Sequence, residues 1–191
     1  GSIDPAMMTT PGTDLYGVIN GLDVLRVEEP EFTVKSIKQS TPVSNAANTL
    51  IVTLIANYNL ASGSTVTITG LTGSQTTDTT NLQVASESCF LESGVWTNNF
   101  GQLVLTVAEG GTEARSACEV IFSLLNSADD QLSPSVGIVA SIKIGDGEQF
   151  LTQPAAMIKP GTPLYGVTEG EDPLRVEVPE FSVRSIRQST P

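Results

Sequence analysis

Residues 31–69, EFTVKSIKQSTPVSNAANTLIVTLIANYNLASGSTVTIT, carry the pattern that decides the fold. Three segments rich in Val, Ile, Thr and Leu lie within this stretch, at Glu31–Gln39, Thr49–Asn57 and Ser64–Thr69. The last segment alternates apolar residues with threonine, which is the period of two expected of a strand with one buried face. The stretch is therefore predicted to form three strands of a β-sheet.

Four further segments of the same character follow, and turn-rich stretches containing Gly, Ser and Asp separate them. About seven strands within roughly 115 residues is the pattern of a Greek-key β-sandwich. We therefore predict an all-β, Ig-like sandwich over residues 31–145, with Thr49–Asn57 placed centrally and Trp96 as a core anchor. The four segments are Asn81–Ala85, Gln102–Ala108, Cys118–Leu125 and Gly137–Ile144.

A duplication flanks this predicted domain. Residues 8–42 (MTTPGTDLYGVINGLDVLRVEEPEFTVKSIKQSTP) match residues 157–191 (MIKPGTPLYGVTEGEDPLRVEVPEFSVRSIRQSTP) without a gap, at an offset of 149 and with 24 of 35 pairs identical. A period of this length exceeds the 20–50 residues of a solenoid unit. The duplication therefore predicts tandem units, each with its own core.

The duplicated segment divides into a connector and a strand. Pro, Gly and acidic residues in its first part predict a semi-extended connector at residues 8–30, and again at 146–178 leading to a next repeat. The Leu-Tyr pairs of these connectors suggest that they dock on a domain. Residues 179–191 are predicted to be the first strand of the next repeat, and residues 1–7 are typical of a vector-derived scar.

A strand without its own sheet invites pairing with another sheet edge or strand exchange. We therefore expect residues 180–187 to pack on another chain or on the domain of the same chain. Neighbouring repeats of the same protein are the expected partners, with homotypic strand pairing or exchange as a further form of contact. The residues expected to mediate this junction are Phe32, Val34, Phe181, Val183 and Ile186.

The charge of the chain excludes several classes of function. It has 21 acidic and 9 basic residues and no histidine, which gives a formal net charge of −12. Nucleic-acid binding depends on basic side chains that neutralise phosphates, and an anionic membrane surface would also repel this chain. No apolar run approaches the ~20 residues that cross a membrane. We expect no nucleic-acid partner and no membrane insertion.

Cys89 and Cys118 are the two cysteines. An even number of cysteines in a β-rich chain of extracellular character predicts a disulfide, and two buried thiols are the alternative. Because the chain has no histidine, Ser-His-Asp and Cys-His catalytic arrangements are excluded. Every acidic residue falls in a turn or connector without a catalytic motif, so we expect no enzyme.

Calcium is the one cofactor that the sequence allows. Acidic residues lie near the expected junctions, and oxygen ligands suit calcium. No calcium-loop motif is present, so solvated acids are the alternative interpretation and no cofactor is the primary expectation. The candidate ligands are Asp146, Glu148, Glu169, Glu171 and Asp172.

The phrases STPVSNAANTLIVTL, STVTITGLTGSQT and GVWTNNFGQLVLTVAEGG lie at residues 40–54, 64–76 and 94–111. They resemble repeat units of very large surface or secreted proteins of algae and other protists, and they are similar to Ig-like stalk repeats of bacterial adhesins. The resemblance covers roughly residues 31–145. It implies a structural or adhesive role outside the cell or at its surface, without catalytic residues.

Two functions follow from these observations as expectations. The first is a structural tandem-repeat module of a long fibrous protein, acting as a spacer or filament unit through its junctions. The alternative is an adhesion module that binds glycan or protein through loops at one end of the sandwich. A carbohydrate-binding module is disfavoured because aromatic residues, which stack on sugars, make up only 5% of the chain.

Overall fold

A computed structural model describes residues 7–144, 148–181 and 183–189. Ten strands form in these ranges, together with a 3-10 turn at Asn98–Phe100, and none of the described residues form an α-helix or a helix able to cross a membrane. The strands are β1 Phe32–Gln39, β2 Ala47–Ala56, β3 Thr65–Thr69, β4 Thr79–Ser86, β5 Ser93–Thr97, β6 Gln102–Thr106, β7 Ala117–Leu125, β8 Gly137–Ile144, β9 Glu148–Leu151 and β10 Ala155–Ala156.

The strands form one curled antiparallel sheet, which confirms the predicted all-β class. The strand order is β1-β2-β7-β4-β5-β6-β3-β8-β10, and β9 pairs with β8. Strand β4 links the two halves of this order, because Val84–Ser86 pair with β7 while Thr79–Gln83 pair with β5. The register shifts between Thr79 and Leu82, and such an irregularity increases the local twist of a strand. The sheet therefore curls around a single core.

Pairing of β2 with β7 is the longest in the sheet. Leu50 lies opposite Phe122 and Val52 lies opposite Val120, and all four side chains are buried. Because side chains alternate between the two faces of a strand, a slip of one residue would move this apolar set into solvent. The alternating pattern of the sequence therefore fixes the register of the pair.

Seven predicted segments coincide with β1, β2, β3, β4, β6, β7 and β8, and the predicted core position of Trp96 is confirmed. The indole Nε1 of Trp96 donates to the Thr76 carbonyl at 3.0 Å, so its polar atom is paired as well. Strand β2 lies between β1 and β7, next to the edge strand. Three strands escaped prediction because β5, β9 and β10 are short and lack a run of β-branched residues.

The two cysteines form a disulfide, as the sequence predicted. Cys118 lies in β7, and Cys89 lies in the loop after β4, with 6.2 Å between their Cα atoms. The bond joins residues 29 positions apart in the chain. It fastens the loop between β4 and β5 to strand β7.

The disulfide is expected to stabilise the domain. Replacing both cysteines, Cys89→Ala with Cys118→Ala, should lower the free energy of unfolding by ~3–4 kcal/mol, since an open loop of this length gains chain entropy when unfolded. Urea denaturation of the oxidised chain and the double variant measures the difference. A reducing agent should lower the midpoint of the parent chain and leave the double variant unchanged. Equal midpoints for the parent chain and the variant would contradict the expectation.

Candidate functional site

The duplicated segment places one connector at each end of the domain. The first connector, residues 8–30, precedes β1, and the second connector, residues 157–179, follows β10. Two parts of the connector matter for its contacts, because each of them packs on the domain in one of the two copies, and we name them by their residues. The YGV turn is Tyr16–Val18 in the first connector and Tyr165–Val167 in the second. The LRV edge is Leu25–Val27 in the first and Leu174–Val176 in the second.

The first connector folds on itself. Leu15 and Val18 exchange two backbone hydrogen bonds of 3.1 and 2.9 Å, which close the YGV turn. The backbone N–H of Gly12 donates to the Asp23 carboxylate at 2.8 Å and ties the beginning of the connector to the residues before its LRV edge. These bonds make a compact loop of what the sequence predicted to be a semi-extended segment.

The second connector repeats the same bonds. Leu164 and Val167 exchange hydrogen bonds of 3.1 and 2.9 Å, and the Gly161 N–H donates to the Asp172 carboxylate at 2.7 Å. The two connectors lie in different surroundings, yet they have the same internal hydrogen bonds. Their shape therefore depends on their own sequence rather than on the surface that each one contacts.

Backbone dihedral angles repeat in the same way. Tyr16 and Tyr165 both have φ of 52°, and Leu25 and Leu174 have φ of 60° and 54°. Residues other than glycine enter this left-handed region at a cost that surrounding structure must offset. The prediction of a semi-extended connector was therefore wrong. Several of the Gly and Pro residues of the connector lie in successive turns.

The second connector begins on the exposed edge of β1. The Ile158 N–H donates to the Lys35 carbonyl at 2.8 Å, and the Ile37 N–H donates to the Ile158 carbonyl at 3.0 Å. These bonds form a parallel bridge between Ser36 and Ile158. The preceding residue, Met157, is buried in the core. The chain that leaves the sheet therefore returns to its edge before the connector turns.

The LRV edge of the second connector is buried on the domain. Leu174 and Val176 have 0% exposure. Val176 exchanges two backbone hydrogen bonds of 2.9 Å with Gln131, in the loop between β7 and β8. The Gln131 carbonyl also accepts from the Arg175 guanidinium at 3.0 Å. Full burial of two aliphatic side chains stabilises this contact by roughly 3–6 kcal/mol before ordering costs.

A buried amide network anchors the same contact from the domain side. The Gln39 Nε2 donates to the carbonyls of Gly170 and Arg175, at 2.8 Å each. The Gln39 Oε1 accepts from the Asn48 amide at 2.7 Å, and the same amide donates to Asn126 at 2.8 Å. All three amide side chains are buried. Because a buried amide without partners is costly, the domain surface is complete only with the connector in place.

The candidate calcium ligands are not gathered into one site within the described residues. The Asp172 carboxylate is buried, accepts from Gly161 and lies 3.7 Å from the Lys159 ammonium. Glu171 accepts from Thr162 at 2.5 Å, and Glu169 is exposed. Asp146 and the side chain of Glu148 lie outside the described part of the chain. Across the described ranges, no three acidic or cysteine residues form a metal-binding group.

The LRV edge of the first connector is exposed. Leu25 and Val27 have exposures of 91% and 85%. The connector fold that buries Leu174 and Val176 on a domain thus presents the equivalent residues to solvent at the other end of the chain.

The YGV turn of the first connector packs on the domain that follows it. The Tyr16 ring stacks on Tyr58 with 5.9 Å between ring centroids. The Tyr16 carbonyl accepts from the Asn59 N–H at 2.9 Å, and the Gly17 carbonyl accepts from the Arg115 guanidinium at 2.6 Å. Val18 is buried beside these contacts. The turn is therefore held by stacking, hydrogen bonds and apolar burial together.

Burial raises the pKa of the Tyr58 hydroxyl above 10.0, and the neighbouring Tyr16 adds to the shift. A raised pKa means that the folded state favours the neutral phenol. The contribution to stability is present below the unfolded pKa near 10 and is lost as pH rises through the folded value. Tyr58 is therefore neutral at physiological pH.

The predicted strand residues lie in two different environments. Phe32 is buried in β1, and Val34 lies opposite Ile55 of β2, so the first copy forms the first strand, as predicted, and this strand lies at the edge of the sheet. In the second copy, Phe181, Val183 and Ile186 are exposed. These three described residues do not pack on the domain of their own chain, which was one of the two arrangements expected. Pairing with another chain stays a prediction.

The sequence did not single out Gln39, Asn48 or Gln131. Gln39 belongs to the duplicated segment and recurs as Gln188, and Asn48 begins the apolar run of β2. A carboxamide at the border of an apolar strand is a signal for a buried hydrogen-bond network. Its partners, which are carbonyls 131 and 136 positions away, could not be read from the pattern.

The two LRV edges form a matched pair for mutation. Leu174→Ala should lower the free energy of unfolding by ~2–5 kcal/mol, because it removes a fully buried side chain. Leu25→Ala should change it by less than ~0.5 kcal/mol, because the side chain is in solvent. Both residues share the left-handed backbone, so backbone strain cancels in the comparison. Denaturant midpoints of the two variants measure the difference in the free energy of unfolding. Equal losses of stability in the two variants would show that the second connector is not docked in solution.

Comparison with known proteins gives no family. No family model matches the chain, and no curated protein matches it. Among solved structures, one described as AvmM, which catalyses macrocyclization in alchivemycin A biosynthesis, is similar over 65% of this chain and 86% of that chain, with 9% identity and a TM-score of 0.35. A DUF4466 family protein from Parabacteroides merdae is similar over 65% of this chain and 45% of its own length, with 11% identity and a TM-score of 0.30. Neither likeness carries an argument about function.

Proposed function

We propose that the chain is a structural tandem-repeat module of a long extracellular or cell-surface fibrous protein. In this role the domain is a spacer or filament unit, and the connectors join it to neighbouring repeats of the same protein. The proposal assigns no catalytic activity, no nucleic-acid partner and no membrane insertion. It requires no cofactor, although calcium at the acidic connectors remains compatible with it.

The observation that carries the proposal is the docked second connector. Leu174 and Val176 are fully buried on the domain, and Gln39 hydrogen-bonds two carbonyls of the connector. A linker whose only role is to tether two domains needs length and flexibility, and it does not bury its side chains on the domain it leaves. Buried apolar side chains and a hydrogen-bonded amide at the end of a domain are expected of a unit that is repeated in tandem.

Three further properties support the extracellular and Ig-like parts of the proposal. The disulfide suits an oxidising compartment, and a net charge of −12 keeps a long protein soluble. The pairings β1-β2-β7-β4 and β5-β6-β3-β8 bury alternate residues toward one core, as the two halves of a Greek-key sandwich would. We therefore retain the Ig-like sandwich as part of the proposal.

Chains of increasing unit number test the spacer function. The chain can be extended by adding another copy of residues 40–188 after Gln188, which continues the 149-residue period. If the units act as spacers, each one should add a constant length of about 35 Å, the diameter of a domain of this size. Small-angle scattering of one, two and three units measures the maximum dimension. A dimension that grows only as the cube root of mass would show collapse and overturn the proposal.

The same series separates the spacer from the adhesion module. A glycan array and an overlay on candidate protein ligands should show no binding that increases with unit number. Saturable binding lost on mutation of loops at one end of the domain would instead support adhesion. The one-unit chain is the control in both assays, because it contains the same loops without an added junction.

A further inference from the structure

We propose that each connector is a rigid, two-sided wedge that docks on the preceding domain through its LRV edge and on the following domain through its YGV turn. The partner surface is the amino-terminal end of a second domain of the same kind. This inference rests on the proposed function and extends it, because it specifies the surfaces that hold consecutive repeats in one orientation.

The first step is that the connector has the same shape in both copies. The two hydrogen bonds that close the YGV turn have the same lengths in both copies. The bond from the N–H of Gly12 or Gly161 to an aspartate differs in length by 0.1 Å between the copies. Its left-handed residues recur as well, from Tyr16 and Tyr165 to Leu25 and Leu174. Because the shape is constant, contacts made by one copy are geometrically available to the other.

The second step is that the two copies use opposite sides. The second connector buries its LRV edge, while its Tyr165 is 76% exposed. The first connector exposes its LRV edge, and its YGV turn packs against Tyr58, Asn59 and Arg115. Each exposed side is therefore the side that the other copy uses for a domain. One connector between two domains would have both sides covered.

The third step is that the YGV turn of the second connector is open to a partner. Together with Pro42, Val43 and Asp130, it lines a cleft of about 670 Å³ beside the carboxyl end of the connector. The chain continues from this cleft into residues 180–188, the equivalent of β1. A following domain that includes those residues would bring its own Tyr58, Asn59 and Arg115 to the turn.

Glycine at the centre of the turn distinguishes the docked from the undocked state. A Cβ on Gly17 would overlap Ala114 and lie 2.5 Å from the Asn59 Oδ1, whereas a Cβ on Gly166 would meet nothing within 4 Å. Both glycines have positive φ, 81° and 84°, so the backbone penalty of alanine is shared. In the one-unit chain, Gly17→Ala should therefore destabilise more than Gly166→Ala.

A two-unit chain, extended by residues 40–188 after Gln188, tests the wedge directly. Spin labels are placed at Thr77→Cys in each unit, since this residue is exposed and the parent chain has no free cysteine. Pulsed electron paramagnetic resonance (double electron–electron resonance) then measures the distribution of distances between the two spin labels. The expected result is one narrow peak in the parent two-unit chain, and the loss of that peak in Gly166→Ala.

Gly161→Ala is the matched control within the same connector. Gly161 also has positive φ, 66°, but a Cβ added there would meet nothing within 4 Å, and a Cβ added on its equivalent Gly12 would meet nothing closer than 3.9 Å. The control should keep the narrow peak. A broad distribution in the parent two-unit chain, or equal distributions for Gly166→Ala and Gly161→Ala, would overturn the wedge. Neither result would affect the spacer function, which fails if the maximum dimension of the series grows no faster than the cube root of its mass.

Discussion

The buried carboxamide of Gln39 is the interaction on which the junction depends. It lies at the last position of β1, and its Nε2 donates to two carbonyls of the second connector while its Oε1 accepts from Asn48. A carboxamide can satisfy donors and acceptors on opposite sides at once, which a carboxylate cannot. In a site closed to water, each of these bonds prevents the cost of an unpaired polar group. Gln39 therefore links the second connector directly to the buried amide network of the domain.

The all-β class, seven of the strands, the core position of Trp96 and the disulfide could be predicted from the sequence. These features depend on local properties, such as the alternation in β3 and β7 and the count of cysteines. The strand order could not be predicted in the same way, because β2 pairs with β7 across some 60 residues of chain. Many apolar strands of equal character could have paired there, and the choice is made by the packing of the whole core.

The connector shows a different limit of sequence interpretation. Its Pro and Gly residues suggested a semi-extended chain, and the duplication identified two copies of it, which lie before β1 and after β10. Its compact shape comes from non-glycine residues in left-handed conformations and from a glycine N–H bonded to an aspartate eleven positions away. Propensity alone disfavours those conformations. Only the hydrogen bonds that close the loop offset the cost of these conformations, and a local sequence pattern does not predict a bond between residues eleven positions apart.

The duplication makes the chain its own comparison. The same sequence element lies in two environments, and a difference between the copies therefore reflects contact with a domain rather than composition. Ile37 is 1% exposed in β1, and its equivalent Ile186 is 99% exposed, although the flanking residues are nearly the same. An apolar side chain that is exposed in one copy and buried in the other identifies a surface that a domain can cover. Leu25 and Val27 meet that condition on the amino-terminal side, and Tyr165 meets it in part on the carboxyl-terminal side, so these side chains are the ones that the proposed wedge would cover.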